Sequence, residues 1–223
     1  YEVYYNMTGE GARAVVPSRQ NQAAAGELQL GANGDFGYAT TDAGGHFTLS
    51  HATSYIWFDP WSQEVDARLV SVSLATADRT IALCGTRTFD GGGFGAATGG
   101  EYAVTLSFGA EGVALPASGG DTRVFAAAVV YPVDCSATEV HVTYTFADGS
   151  VYTETRPGRK LEAGATYRLT SEITKRAGGA LEIEAGEADG EPVCLKYGGS
   201  EVRSLTAEGW IPQVRTTAPA RWT

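Results

Sequence analysis

Stretches of helical period rich in leucine, lysine and glutamate are what this chain of 223 residues most conspicuously lacks, while glycine (29 residues), threonine, valine and tyrosine are abundant. That balance excludes a helical bundle and places the chain in the mostly-β class. Basic residues are also scarce, 16 against 26 acidic ones, for a formal net charge of -10. A nucleic-acid backbone or an anionic membrane surface is therefore excluded as the main partner. Cysteine is limited to Cys84, Cys135 and Cys194, an odd number without C-x-x-C spacing. Neither a disulfide framework nor a zinc site is encoded, and Cys84, inside the strand-like TIALCG, reads as a core thiol. No stretch approaches the ~20 apolar residues of a membrane helix, the longest apolar run being Val124 to Tyr131. A signal peptide is missing too. The chain opens directly on the strand-like YEVYY, as a processed or truncated product would.

What is present is a succession of short extended runs. Val140, Val142, Tyr144 and Phe146 alternate with polar neighbours, Asp148-Gly149 supplies a turn, and Val151 and Thr153 begin the return. This predicts a hairpin with one buried face. The apolar run ending at Pro132 precedes it and a strand carrying Tyr167 and Leu169 follows it, so three or four consecutive antiparallel strands are expected here. A second hairpin is expected from Leu69 to Leu74, a turn at Asp78-Arg79, and a return over Thr80 to Cys84. Tyr102, Val104, Leu106 and Phe108 give the cleanest period-2 strand, and His46 to Phe58 suits a central strand or strand pair. Ser18 to Ala25 is polar and reads as irregular, whereas Phe89 to Gly100 is rich enough in glycine to read as a flexible loop. Pro116 to Gly120 is the expected domain boundary. The prediction is all-β, with two antiparallel β-sandwich domains in tandem over residues 1–116 and 121–223.

Reactive constellations are few. His46 and His51 fall on opposite faces of a strand, and His141 alone completes no metal site. The glycines at 91–95 and 99–100 are followed by a strand and lack the Lys-Ser/Thr pair of a phosphate cradle. No G-x-S-x-G elbow is present. No catalytic residue, metal or cofactor is assigned. Trp57 reads as core; Trp61, after Pro60, is the candidate aromatic for contact with a sugar ring. Asn6-Met7-Thr8 forms a glycosylation sequon, relevant in a eukaryotic secretory setting.

Taken in order, YEVYY, VPSRQNQ, FTLSHATSYIWF, RLVSVSLAT, VFAAAVVYPV, the hairpin at Asp148-Gly149 and LEAGATYRL resemble the fimbrillin family, the pilins and pilin-like surface proteins of Bacteroidales type V pili. The resemblance covers most of Tyr1 to Ile173. It implies two transthyretin-like β-sandwiches, the first without its initial strands, and export as an outer-membrane lipoprotein to the cell surface or fimbrium. It also implies assembly with other pilin subunits by strand exchange after proteolysis. The family's lipid-bearing cysteine and N-terminal strands have no match here, and the tail after Lys175 matches only loosely. Val202, Leu205, Trp210, Ile211 and Val214 are apolar without a strong local partner, so Val202 to Val214 is the candidate donor strand; an ordinary edge strand of the second domain is the alternative. Function is then expected in subunit joining and in contacts with host or bacterial surface glycans or proteins, with Phe89 to Gly100 and Asp59 to Glu64 as presenting loops. A carbohydrate-binding module built on Trp61, and a β-sandwich glycoside hydrolase using two acids, are the competing classes.

Overall fold

A computed structural model describes residues 1–8, 12–63, 67–119 and 124–174, together with 177–178, 181–184, 193–197 and 200–205 as backbone strands. Every regular element among the described residues is a strand. In chain order they are β1 (Glu2–Tyr5), β2 (Arg13–Val16), β3 (Arg19–Asn21), β4 (Gly37–Thr40), β5 (Ser50–His51), β6 (Ser54–Trp61), β7 (Arg68–Thr76), β8 (Cys84–Thr88), β9 (Thr98–Glu101), β10 (Ala103–Ser107), β11 (Val113–Ala114), β12 (Ala126–Val130), β13 (Glu139–Phe146), β14 (Ser150–Pro157), β15 (Thr166–Glu172), β16 (Ala177–Gly178), β17 (Leu181–Glu184), β18 (Val193–Tyr197) and β19 (Ser200–Leu205). The all-β, sandwich-type expectation holds.

The chain divides into a larger unit, Tyr1–Ala177, and a smaller one, Gly178–Thr223. The boundary expected at Pro116–Gly120 is thereby corrected. β13 pairs with β7, and β12 and β15 pair with β6, so strands from both sides of that loop share their sheets. The reason is burial: every residue of β12 is buried, and the strands that hydrogen-bond and cover it come from before Pro116. The smaller unit contains one antiparallel sheet in the order β17-β18-β19.

In the larger unit the widest sheet carries β14, β13, β7, β10 and β3 in that order, with β11 beside β7. Facing it is a narrow sheet in the order β12-β6-β15. Between them lies the main core, where Leu69, Leu74, Val104, Leu106, Val142 and Phe146 meet Ile56, Phe58, Ala126 and Ala128. The other face of the narrow sheet carries Tyr55, Trp57 and Val129, which pack with Ala14, Val16, Phe36 and Cys84 in a second core. The strands there belong to two small sheets, β1-β4-β5 and β2-β8-β9. The narrow sheet is thus covered on both faces, which is why SYIWF and VFAAAVVY read as nearly continuous apolar runs instead of alternating ones. Tyr131 ties the second core together: its hydroxyl donates to Ala14 O (2.9 Å) and Gly85 O (3.0 Å), and burial pushes its pKa up to about 12.

Several local expectations are refined. The hairpin β13–β14 forms, with Thr145 opposite Val151. Its loop has three residues, Ala147 to Gly149, and Gly149 takes φ +79°, the left-handed position such loops require. The second hairpin does not form. Asp78 does cap a turn, accepting from Thr80 N and Oγ1, but β7 pairs with β10 and β13 while Cys84 continues into β8, which pairs with β2. β12 and β15 also leave the hairpin's sheet for β6, and β15 runs parallel to it, as β3 does to β10.

A sandwich of sheets this unequal leaves the edges of the narrow sheet to be satisfied. At β12 the solution comes from Gln20 and Gln22, consecutive inward-facing positions at β3, both buried to 1% exposure. Gln20 Nε2 donates to Val129 O (2.7 Å) and its Oε1 accepts from Val129 N (2.9 Å). Gln22 Nε2 donates to Phe125 O (2.9 Å) and its Oε1 accepts from Ala127 N (3.3 Å). The two side-chain amides thus take the place of a neighbouring strand. Replacing Gln20 by Ala leaves a buried N–H and a buried C=O without partners, at a cost of about 2–4 kcal/mol. Denaturant unfolding should show that loss for Gln20→Ala and a change within about 0.5 kcal/mol for the exposed neighbour Arg19→Ala; equal effects would refute the edge-capping role.

Candidate functional site

The opposite edge of the narrow sheet is β15. Ala165 O accepts from Tyr55 N and Ile173 N donates to Trp61 O, so alternate residues, Tyr167, Leu169 and Ser171, turn their backbone groups toward β6. Those of Thr166, Thr170 and Glu172 point away from it. No strand lies beyond β15 among the described residues. Thr170 O instead accepts from Arg156 Nη2 (2.9 Å), a side chain of β14 in the facing sheet. Beside it, Ser171 Oγ donates to Glu154 Oε1 (2.5 Å) and shares a hydrogen bond with the Tyr144 hydroxyl (2.7 Å). Glu154 also pairs with Arg156 at 3.0 Å. Burial holds the Tyr144 phenol well above its ordinary pKa, so it stays protonated in this cluster. This clasp fastens β14 to β15 at one end of the gap between the sheets.

Next to the clasp the gap stays open as a groove of about 210 Å³. Ile56, Leu74 and Leu83 form its floor and belong to the main core. Val140, Tyr167 and Leu169 supply its walls. Arg156, Arg159 and Arg168 stand at its rim. Arg168 pairs with Asp59 of β6, and Arg159 sits 5.8 Å from the Tyr167 ring. At the turn leading to Arg159, Gly158 packs so closely on the backbone of Cys135 and Thr138 that no side chain fits there.

Trp61 does not lie in a loop, as expected, but at the end of β6. It is partly buried and lines a different cavity of about 320 Å³ with Asp59, Pro116, Ser118 and Phe125. Gly119 meets the pyrrole edge of its indole. Asp59 is the acid in that wall, and both its oxygens are engaged, one by Phe125 N (3.0 Å) and the other by Arg168. Trp57 packs on the second core.

The histidines stay apart. His46 faces Asp42 at 3.4 Å on the surface, His141 meets Thr155 Oγ1 at 3.1 Å, and His51 Nδ1 lies 3.0 Å from the buried Asp35. Asp35 Oδ1 also accepts from Thr53 Oγ1 (2.9 Å) and Tyr55 OH (2.5 Å), fixing the loop before β4 to β6. No group of three potential metal ligands occurs among the described residues. Asn6 spends its amide on Gly31 O (2.7 Å) and Asp35 O (2.8 Å), an arrangement a glycan on that nitrogen would break.

Phe89 to Gly100 is more ordered than its glycine content predicts. Phe89 and Phe94 form an isolated bridge and pack against Phe36 and Tyr131, while Thr98–Glu101 is strand β9. Phe47 and Leu49, expected on a strand, are exposed in a loop. Cys84 is buried as expected, and Cys135 is too; burial pushes both thiols up to about 11. Of the candidate donor residues, Val202 and Leu205 fall on β19, hydrogen-bonded to β18; Trp210, Ile211 and Val214 lie outside the described residues, and so does the Cys194 side chain.

No family model matches the sequence, nor does any curated protein. Among solved structures the chain is similar to a candidate cell adhesion protein from Bacteroides ovatus, with a TM-score of 0.49 and 18% identity over 77% of this chain and 62% of that one. A candidate cell adhesion protein from Bacteroides uniformis gives 0.49 and 15%, over 78% and 66%. One from Bacteroides fragilis gives 0.39 and 15%, over 81% and 59%. This chain therefore spans less than two thirds of the length of each. At identities of this size no site residue carries over.

Proposed function

We propose that this chain is a structural or adhesive subunit of a bacterial surface fimbria, of fimbrillin type, and that subunits join by β-strand exchange. The observation that carries the reading is the open groove beside β15, where an apolar cavity reaching core residues adjoins a strand edge with no neighbour among the described residues. An extended segment from another subunit satisfies both needs at once, pairing with the outward backbone of Thr166 and with the Thr170 amide, whose carbonyl Arg156 already holds, and giving apolar side chains to Leu74 and Leu83. Burying ~1,500 Å² of mostly apolar surface contributes on the order of tens of kcal/mol before ordering costs, enough for a joint that does not come apart. The Gln20 and Gln22 amides close the other edge of the same sheet, so addition is directed to one side. Export to the cell surface, association with the outer membrane, and other pilin subunits as partners belong to this reading.

The donor in this proposal is the C-terminal segment Val202 to Val214. Its first part, on β19, is the outer strand of the small sheet. In an assembly assay, removal of residues 201–223 should abolish polymer formation, as should Val140→Trp, which fills the groove from its wall. Folded monomers that fail to polymerise are the expected result. Polymers of normal length from both variants would reject strand exchange at this edge.

The Trp61 cavity favours a second, compatible role in glycan contact, since an indole beside prolines and Phe125 offers a stacking surface for a sugar ring. Binding on a glycan array should then be lost in Trp61→Ala and kept in Trp57→Phe. Unchanged binding by Trp61→Ala would remove this role.

A further inference from the structure

The loop that begins at Phe89 forms one wall of another cavity, of about 260 Å³, which shares no lining residue with the groove beside β15 or with the Trp61 cavity. Phe89 and Phe94, half-buried and packed edge to face at 5.0 Å, stand on one side of it. Facing them is the sheet of β4 and β5. Tyr38 and Ser50 are opposite each other in its register and so project from the same face, with the Tyr38 ring 5.1 Å from Phe89. Alternation sends the ring of His51, the next residue on β5, to the other face, where its Nδ1 meets Asp35. Gly92 and Gly93 close a further side without side chains, in a turn fixed by Asp90 Oδ1, which accepts from both their N–H groups at 3.0 Å. Gly91 takes φ +84°, and a side chain on it would strike the Tyr38 hydroxyl, so the loop is seated directly on that residue. Two features set the chemistry of this cavity. The hydroxyls of Tyr38 and Ser50 make no hydrogen bond among the described residues, and no Asp, Glu, Lys or Arg lines its walls.

We propose that this cavity binds an uncharged sugar residue between the Phe89 and Phe94 rings and the hydroxyls of Tyr38 and Ser50. A pyranose carries both surfaces that the walls call for: a face of C–H groups to lie on an aromatic ring, and hydroxyls that take over the hydrogen bonds water makes with Tyr38 and Ser50. A sulfate, phosphate or carboxylate group entering here would give up water without meeting a cation. An alkylammonium group can use the rings, but it leaves both hydroxyls without partners, as a wholly apolar ligand does. The proposal concerns a site separate from Trp61 and rests neither on that role nor on strand exchange.

The test uses the full chain carrying Trp61→Ala, which removes the other candidate sugar contact, on an array of glycans ending either in a neutral hexose or in a sialic or uronic acid. Glycans with the neutral ends should bind and those with the acidic ends should not. Calorimetric titration of the best-bound neutral oligosaccharide into the same chain then reads the walls. Tyr38→Phe and Ser50→Ala should each weaken binding about three- to tenfold, and Gly93→Leu should abolish it. Gly93 has no positive φ, and a side chain starting there meets nothing within 4 Å; thermal unfolding of this variant should therefore match that of the parent chain. Absence of neutral-glycan binding by the Trp61→Ala chain would overturn the inference, and if the chain with Trp61 intact does bind, sugar contact belongs to the Trp61 cavity. Binding left unchanged by Gly93→Leu, or stronger for acidic glycans or for choline, would overturn it as well.

Discussion

The amides of Gln20 and Gln22 replace a strand along the outer edge of β12, and the arrangement of the larger unit depends on that substitution. β12 is apolar on both faces and covered on both, so water cannot satisfy its outward N–H and C=O groups. Left unpaired, each such group would cost about 1–3 kcal/mol. With the edge sealed, the narrow sheet can stand between two cores, and the small sheets β1-β4-β5 and β2-β8-β9 have a surface to pack on. The seal also joins the two sheets of the sandwich, because β3 belongs to the wide one.

The narrow sheet is consequently asymmetric. At β12 the edge is closed by buried side chains that cannot be displaced without loss of stability. At β15 it is held at one end only, where the partly exposed Arg156 bonds Thr170 O and the largely buried Glu154 bonds the buried Ser171, beside a groove that reaches Leu74 and Leu83. Within that clasp only Arg156 reaches the outward backbone of β15. In the proposed assembly an incoming strand would displace the Arg156 bond to Thr170 O at β15, and at β12 it would have to displace four hydrogen bonds of buried glutamine amides. Natural sheets protect their edges against unwanted pairing. Here one edge has that protection and the other has less of it, the pattern that the proposed strand exchange requires.

Much of the strand content was legible in the sequence, because a half-buried strand writes its burial as alternation. The hairpin at Val140 to Thr153 and the strand at Tyr102 to Phe108 are such cases. Partner choice was not legible. Leu69 to Leu74 has the right pattern for a hairpin with Thr80 to Cys84, yet longer-range partners, β10 and β13, take both its edges. The domain boundary failed for the same reason, since the sheets close across Pro116 to Gly120. The candidate site was least visible. Ser18 to Ala25 looks irregular because glutamine is polar, and nothing local shows that alternate glutamines face inward to bond a strand more than a hundred residues away. The groove is likewise a vacancy between distant strands, with no motif of its own. Phe89 and Phe94 were hidden by the glycines around them.

Residue-resolved amide hydrogen exchange on the isolated subunit and on the assembled polymer is the most direct test of this asymmetry. The amides of Ala127 and Val129 should be protected in both forms, whereas those of Thr166 and Thr170 should exchange quickly in the subunit and become protected on assembly. Fast exchange at Val129, or protection at Thr166 and Thr170 that is already complete in the isolated subunit, would contradict it.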